Sequence, residues 1–371
     1  MVSAEAASFM RLGDLPEGNF FSFALGVSGD GKVVVGQGNS AMGPEPFRWT
    51  SSTGMVGLGS LPGGSFGGSA QDASGNGSVI VGGSGSINGG EAFRWTSSTG
   101  MVGLGDLPGG RFISEAFGVS AEGSVVVGAS ESALKQEAFR WTSSGGMVGL
   151  GSLPGAVTPE SLAFGVSGDG SVVVGVSNTV GGTEGFRWTA GTGMVGLGDL
   201  PGGNLNSNAK AVSSNGAVVV GFGSTNSGQE AFRWTSSGGM VGLGNIPNGT
   251  FSSANDVSSN GNVVVGDALT NTGDQQPFIW DPLNGMRDLQ SVLETDFGLV
   301  GELAGWDLER AFAVSDDGLI IVGEGDNPLG QTEAWLVQLD SSNPIPEPST
   351  ILLLGSGLFG LIGYRMRKMK A

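Results

Sequence analysis

An acidic side chain recurs at regular intervals along the 371-residue chain and is the strongest candidate for chemistry. It stands two residues before a repeated aromatic residue, and six of its seven copies are Glu. The copies are Glu45, Glu91, Glu137, Glu184, Glu230, Gln276 and Glu333. In a closed ring of repeats, these carboxylates would line a cation or sugar site. A residue type found in nearly every repeat is more typical of packing that all repeats have in common than of a single catalytic site. We therefore favour a structural role, in which each Glu caps a strand end or pairs with a repeat Arg on a neighbouring strand or repeat.

The aromatic residues and the missing residue types narrow the chemistry further. The chain has no Cys and no His, which excludes thiolate chemistry, the usual zinc ligands and Ser-His-Asp triads. Exposed repeat Trp residues would stack on sugars, but their regular recurrence is more typical of packing between repeats. These residues are Trp49, Trp95, Trp141, Trp188 and Trp234.

Metal ions, cofactors and nucleic acid are not expected ligands. Each Asp-Gly or Asn-Gly turn supplies at most one carboxylate, whereas calcium takes six to eight oxygen ligands. No phosphate-binding loop, dinucleotide fingerprint or nucleophile elbow is present. Acidic residues outnumber basic ones 34 to 16, and a net charge of −18 disfavours binding to phosphate backbones.

A carboxylate pair is the remaining catalytic alternative. Glycoside hydrolases use two carboxyl groups about 5 to 10 Å apart. Asp316 and Asp317, or members of the Glu series, are the candidates for such a pair.

A 46-residue period must position all of these side chains. The Trp residues of the repeated Phe-Arg-Trp block and its later variants are spaced by 46, 46, 47, 46, 46 and 55 residues. Each period holds four strand-like runs, with Asp-Gly or Asn-Gly predicting a type I′ hairpin between the first two. The Val triplets that follow indicate strands buried on both faces. Four antiparallel strands in 40 to 50 residues predict one blade of a β-propeller.

The two ends of the chain predict how the ring closes. Met10 to Pro16 match the fourth strand of a repeat, while the last repeat, Ala311 to Leu339, supplies only three strands. We therefore predict an all-β, seven-bladed propeller in which the N- and C-terminal strands pair, leaving no open sheet edge. The alternative is a β-solenoid with two coils per period, which would not need matching half-repeats at its ends.

One insertion interrupts the period between Arg287 and Arg310. Leu289, Val292, Leu293 and Phe297 fall near helical spacing and predict a short helix. We interpret the insertion, including Trp306, as a plug over the final blade.

The repeats resemble the HAF-repeat family of extracellular bacterial proteins. The resemblance rests on the Leu-Gly-Asp-Leu-Pro-Gly-Gly strings at Leu104 to Gly110 and Leu197 to Gly203, on the Val-Ser-x-Asp-Gly turns and on the x-Ala-Phe-Arg-Trp strands. The family's signature His is replaced at Glu91, Glu137 and Glu230. The resemblance implies an exported surface protein without an agreed activity.

The C-terminus resembles the PEP-CTERM sorting signal. Pro346, Glu347 and Pro348 precede an apolar run from Ile351 to Gly363 and a basic end. The basic residues are Arg365, Arg367, Lys368 and Lys370. The resemblance implies export in a Gram-negative bacterium, processing by an exosortase near the Pro-Glu-Pro motif and an association with exopolysaccharide.

These observations divide the chain into four segments. We expect a leader remnant at residues 1–8, the propeller at 9–340, a linker at 341–348, and a hydrophobic transmembrane helix with a basic tail at 349–371. Residues 1–9 lack the basic and apolar regions of a signal peptide, so we expect the true start to lie upstream.

The predicted role is that of an exported cell-surface or matrix protein without catalytic activity. Its partners would be an exosortase, the inner membrane before processing, and exopolysaccharide or other surface proteins. The alternative is a carboxylate-based hydrolase of extracellular polysaccharide.

Overall fold

The computed structural model describes residues 6–64, 67–133 and 135–340. Over these ranges the chain forms seven four-stranded antiparallel sheets, which are the seven blades of a β-propeller, and one short helix. The prediction of an all-β, seven-bladed propeller is confirmed, and the solenoid alternative is wrong.

The strands follow one another from the channel to the rim in each blade. The chain begins with β1 (Ser8–Gly13). Blade 1 contains β2 (Glu17–Val27), β3 (Val34–Ser40), β4 (Gly43–Thr50) and β5 (Gly54–Gly57). Blade 2 contains β6 (Gly68–Ala73), β7 (Val79–Gly85), β8 (Gly90–Thr96) and β9 (Gly100–Gly103). Blade 3 contains β10 (Gly109–Val119), β11 (Val125–Ser132), β12 (Lys135–Thr142) and β13 (Gly146–Gly149).

The remaining blades repeat this order. Blade 4 contains β14 (Ser161–Val166), β15 (Val172–Asn178), β16 (Thr183–Thr189) and β17 (Gly193–Gly196). Blade 5 contains β18 (Asn208–Val212), β19 (Val218–Thr225), β20 (Gly228–Thr235) and β21 (Gly239–Gly242). Blade 6 contains β22 (Gly249–Val257), β23 (Val264–Thr270), β24 (Gln275–Asp281) and β25 (Gly285–Asp288). Blade 7 contains β26 (Asp307–Val314), β27 (Ile320–Asp326), β28 (Thr332–Gln338) and β1.

The two ends of the described chain close the ring. β1 pairs antiparallel with β28, so that Phe9 lies opposite Val337 and Met10 opposite Leu336. This confirms the predicted pairing of the N- and C-terminal strands. Ser8, which the sequence placed in a leader remnant, belongs to β1.

The core lies between neighbouring blades. Val33 and Val35 of blade 1 pack against Ile80 and Phe93 of blade 2, and Trp95 is partly buried against the same cluster. Equivalent clusters recur around the ring. The Val triplets are therefore buried on both faces, as predicted, and the repeat Trp residues fill space between blades.

The turn between the first two strands of each blade differs from the predicted type I′ hairpin. A type I′ turn needs positive φ at both central residues, yet only the glycine has it: Gly31 lies at φ 73° and Asp30 does not share this conformation. The Gly31 N–H donates to the Ser28 carbonyl over 2.8 Å, and the Ser28 N–H donates to the Val33 carbonyl over 2.8 Å. The loop is thus longer, with a single left-handed glycine.

The insertion contains the predicted helix. α1 spans Leu289–Thr295, and the Asp288 carboxylate caps it by accepting from the Ser291 N–H over 2.6 Å. Its buried side chains join Trp306, which packs edge-on against Phe9 with ring centroids 5.0 Å apart. The insertion therefore seals the contact between blade 6 and the closing blade.

The structure describes only part of the four segments into which the sequence divides the chain. The linker at 341–348 and the hydrophobic helix at 349–371 lie outside the described residues, as do residues 1–5. Within the described ranges, no helix is long and apolar enough to span a membrane.

Candidate binding site in the central channel

The repeated Glu residues act on the backbone and do not line a site. Glu137 Oε1 accepts from the Gly151 N–H over 3.0 Å, in the turn that follows the fourth strand. The same bond recurs in the other blades that carry the Glu: Gly59 to Glu45, Gly105 to Glu91, Gly198 to Glu184, Gly244 to Glu230 and Gly13 to Glu333. These contacts support the favoured capping role.

The repeat arginines bind the neighbouring blade. Arg140 donates to the Gly170 carbonyl over 3.3 Å, and Arg233 donates to the Gly261 carbonyl over 3.1 Å. Blade 7 has a Glu–Arg pair, in which Arg11 of β1 donates two bonds to Glu333, but Arg11 is not one of the repeat arginines for which the pairing was predicted.

The two adjacent carboxylates considered for catalysis point to different places. Asp317 is held in its own turn, accepting from the Ser315 hydroxyl over 2.6 Å and from the Leu319 N–H over 3.0 Å. Asp316 lines the central channel. The structure therefore does not bring them together as a facing pair.

The blades differ from one another in the side chains that line the central channel. One residue of each innermost strand projects into a chamber of about 380 Å³ at one end of the channel, which we call the wide chamber. Around the ring these residues are Leu25, Gln71, Phe117, Phe164, Lys210, Asn255 and Phe312. Four are apolar and three are polar, so the wall has chemically distinct sides. Ligand sites of about 300 to 1,000 Å³ usually combine an apolar lining with a few polar groups.

Two carboxylates lie at the inner end of the wide chamber, and we call them the acidic floor. They are Asp72 of blade 2 and Asp256 of blade 6, at a position that is Gly or Ala in the other blades. Asp72 accepts from the Ala73 N–H over 2.7 Å and from the Val119 N–H of blade 3 over 2.8 Å.

Asp256 repeats this arrangement on the other side of the channel. It accepts from the Val257 N–H over 2.7 Å and from the Val314 N–H of blade 7 over 2.8 Å. Each floor carboxylate therefore joins its own blade to the next.

Burial raises the pKa of both floor carboxyl groups to about 7. Each retains some accessible surface toward the channel, but the surrounding protein disfavours the charged form. Repulsion from Asp256 and Asp316 adds to the effect on the pKa of Asp72, and repulsion from Asp316 acts on Asp256. Backbone hydrogen bonds oppose the rise. Clustered perturbed carboxyl groups of this kind are frequent at functional sites.

A polar network occupies the wall formed by blades 5 to 7. Lys210 Nζ donates to Asn255 Oδ1 over 2.7 Å, and Asn255 Nδ2 donates to Asp267 Oδ1 over 2.7 Å. Burial lowers the pKa of Lys210. Nearby, Arg310 lies 3.5 Å from Glu324, whose pKa burial raises to about 7. The cations of this wall are thus already paired with polar or acidic neighbours.

The other end of the channel is narrower. Its cavity of about 110 Å³ shares the floor carboxylates with the wide chamber. Backbone bonds join neighbouring blades there, as from Gly75 N–H to the Ala121 carbonyl over 2.9 Å and from Gly168 N–H to the Ser214 carbonyl over 2.8 Å. A Cβ on Gly168 would come within 2.3 Å of the Ser214 hydroxyl, which would have to turn aside to admit a larger residue. In the described part of the chain, no group of three or more Asp or Glu side chains is arranged to hold a metal ion.

Sequence reasoning did not single out the floor carboxylates or Lys210. The available signal was a departure from the repeat, since Asp72 and Asp256 stand where other blades have Gly or Ala. The repeated Glu residues form the more regular pattern in the sequence, but they bind backbone groups.

Comparison with known proteins identifies the C-terminal signal. Residues 344–368 match the PEP-CTERM protein-sorting motif. The chain therefore carries this sorting signal, and the signal marks an exported protein of the cell envelope or extracellular space that is processed by an exosortase. No curated protein matches the chain at a significant level.

Solved structures share the propeller fold at low sequence identity. Oligogalacturonate lyase from Vibrio parahaemolyticus aligns with a TM-score of 0.57 and 10% identity, over 92% of this chain and 99% of that one. Hydrazine synthase from Kuenenia stuttgartiensis aligns with a TM-score of 0.49 and 12% identity, over 84% and 94%. TolB from Acinetobacter baumannii aligns with a TM-score of 0.45 and 11% identity, over 68% of this chain and 61% of that one, which is less than two thirds of its length. At 10% identity the likeness to the oligogalacturonate lyase shows the fold alone.

Proposed function

We propose that this exported protein is a non-catalytic component of the cell surface or extracellular matrix and that its propeller binds exopolysaccharide. The observation that carries the proposal is the two-sided wide chamber. Phe117 and Phe164 lie side by side with ring centroids 5.5 Å apart, while Gln71 and Asn255 add polar side chains to the lining, where Gln71 Nε2 donates to Ser69 and Asn255 Nδ2 to Asp267. A sugar ring has an apolar C–H face and a rim of hydroxyls, and these two kinds of wall complement it.

The C-terminal signal supports the same role. Before processing, the apolar segment at 349–371 would hold the protein in the inner membrane with its basic end in the cytoplasm. Cleavage near Pro346, Glu347 and Pro348 would then release the propeller to the envelope or matrix, where polysaccharide is available.

A binding assay tests the proposal. The purified chain is mixed with the extracellular polysaccharide of its host, and the fraction that co-sediments with the polymer is measured. We expect saturable retention that Phe164→Ala weakens and that Val148→Ala, at an exposed site on β13, leaves unchanged. Absence of retention, or equal retention of both variants and the unaltered chain, would contradict the proposal.

Hydrolysis is the second candidate, because the acidic floor brings two carboxyl groups with a pKa of about 7 into one channel. We favour binding, since each floor carboxylate is already committed to two backbone N–H groups that join blades. Measuring reducing ends during the co-sedimentation assay separates the two. A steady release that Asp72→Asn abolishes would favour the hydrolase.

A further inference from the structure

The shape and charge of the wide chamber indicate which part of a polysaccharide it takes, an inference that rests on the proposed function. The chamber is of ligand-site size, about 380 Å³, but the channel beyond the acidic floor narrows to about 110 Å³. Backbone hydrogen bonds between neighbouring blades surround that narrow end. A polymer that entered the chamber would meet this narrower end, which favours entry of a chain by its end.

The charge at the inner end of the chamber restricts the ligand further. Asp72, Asp256 and Asp316 all line the narrow end of the channel, and repulsion from its acidic neighbours helps to raise the pKa of each floor carboxyl group. Lys210 lines the chamber but is engaged by Asn255, and Arg310 is paired with Glu324. Above about pH 7, where the floor carboxyl groups are ionised, they would repel a sugar carboxylate or sulfate that reached the floor.

Neutral hydroxyl groups fit the floor better. A floor carboxylate accepts two backbone N–H bonds, and an ionised carboxylate offers about four lone-pair sites, so each retains capacity to accept from a ligand hydroxyl. Phe117 and Phe164 on one side would pack against the C–H face of the same ring.

We propose that the wide chamber binds the terminal sugar of an uncharged polysaccharide chain end-on, with its hydroxyls on the acidic floor and its ring against Phe117 and Phe164. Recognition is then of chain ends and not of internal repeats of the polymer. A long chain and a short one present the same single end to the chamber.

Partially hydrolysed host polysaccharide, separated into neutral and acidic oligosaccharides of defined length, provides the probes. Titration calorimetry with the full chain should give a dissociation constant per chain end that stays within about twofold as the neutral chain lengthens. Above about pH 7, where the floor carboxyl groups are ionised, acidic oligosaccharides should bind at least about tenfold more weakly. Affinity that rises steadily with chain length, or a preference for the acidic fraction, would overturn end-on recognition of a neutral sugar.

Two variants place the binding in the chamber. Leu25→Trp should fill the cavity and weaken binding of the neutral fraction at least about tenfold, while Val148→Ala on the rim should leave it unchanged. A thermal melt of each variant verifies folding, and Phe164→Ala serves in place of Leu25→Trp if the latter fails to fold. Unchanged binding by a folded chamber variant would refute the inference. Retention of intact polymer with no binding of its oligosaccharide ends would refute the inference while leaving the proposed function standing.

Discussion

At the scale of single residues, the side chains that recur and those that do not have different tasks. The repeated Glu137 and Arg140 bind backbone groups that every blade possesses. Asp72 and Asp256 occupy a position where other blades have Gly or Ala, and they lie in the channel. The sequence predicts the structural role of Glu137 and Arg140, because a feature common to all blades serves blade packing. It does not reveal the properties of Asp72 and Asp256, because the burial and mutual repulsion of these two side chains arise only when the ring closes.

Substitution of a repeated residue should therefore affect stability and not binding. Glu137→Gln keeps one acceptor oxygen but loses the charge, and we expect a loss of about 1 kcal/mol in the free energy of unfolding. Arg140→Ala should cost a similar amount, since it removes both the bond to the Gly170 carbonyl and the packing of the side-chain stem. Denaturant unfolding measures both changes. Selective loss of polysaccharide binding with unchanged melting would instead assign Glu137 to a binding site.

Substitution in the acidic floor should change the pH dependence of stability. The pKa of Asp72 and of Asp256 is raised from 3.8 to about 7 in the folded protein, so between about pH 4 and pH 7 the folded state binds more protons than the unfolded chain. The stabilisation from these groups is full below about pH 4 and is lost as the pH rises through about 7. With water in the channel reducing the effect, we expect a loss on the order of 1–2 kcal/mol for each group.

Denaturant unfolding of Asp72→Asn between pH 4 and pH 8 tests this. The variant should lose less stability than the unaltered chain as the pH rises, while Glu302→Gln, at an exposed site, should follow the unaltered chain. A variant that loses more stability with rising pH would show that the floor carboxyl is not held with a raised pKa.

At the scale of elements, periodicity was sufficient to predict the strands, the closure and the short helix. Leu289, Val292 and Leu293 share one buried face of α1, as their spacing predicts. The turns were less predictable, because Asp-Gly is compatible with more than one loop length. In blade 1 the loop continues to Lys32, and only Gly31 takes positive φ.

Removal of β1 should destabilise the whole ring. Deleting residues 1–13 would expose the edge of β28 and remove the packing of Phe9 against Trp306 and the burial of Leu12. We expect a loss of at least about 3 kcal/mol and association through the open edge, measured by thermal melting and size-exclusion chromatography. A synthetic peptide of residues 6–13 should restore part of the stability. A deletion variant that remains monomeric and melts normally would contradict closure by β1.

At the scale of the whole molecule, the charge distribution separates the propeller from the sorting signal. Four of the 16 basic residues lie after position 348, so residues 1–348 carry 12 basic against 34 acidic side chains, a net charge of −22. The apolar run between Ile351 and Tyr364 is 14 residues, and a comfortable bilayer span needs about 20. The short run supports the proposal that the segment holds the protein in the membrane only before processing.

Processing should remove this segment. Intact-mass spectrometry of the protein from the extracellular fraction of its native host should show a C-terminus near Pro346, Glu347 and Pro348, and deletion of the exosortase should leave the full chain in the membrane fraction. An extracellular form that still ends at Ala371 would contradict processing.

Hydrogen–deuterium exchange with and without host polysaccharide tests most directly that the channel, and not the repeated rim, carries the binding. We predict slower exchange on polymer binding in the innermost strands that line the wide chamber, above all β10, β14 and β18, with no change in the outer strands β9, β13 and β17. Protection confined to the outer strands, with the innermost strands unchanged while the polymer is bound, would contradict the account.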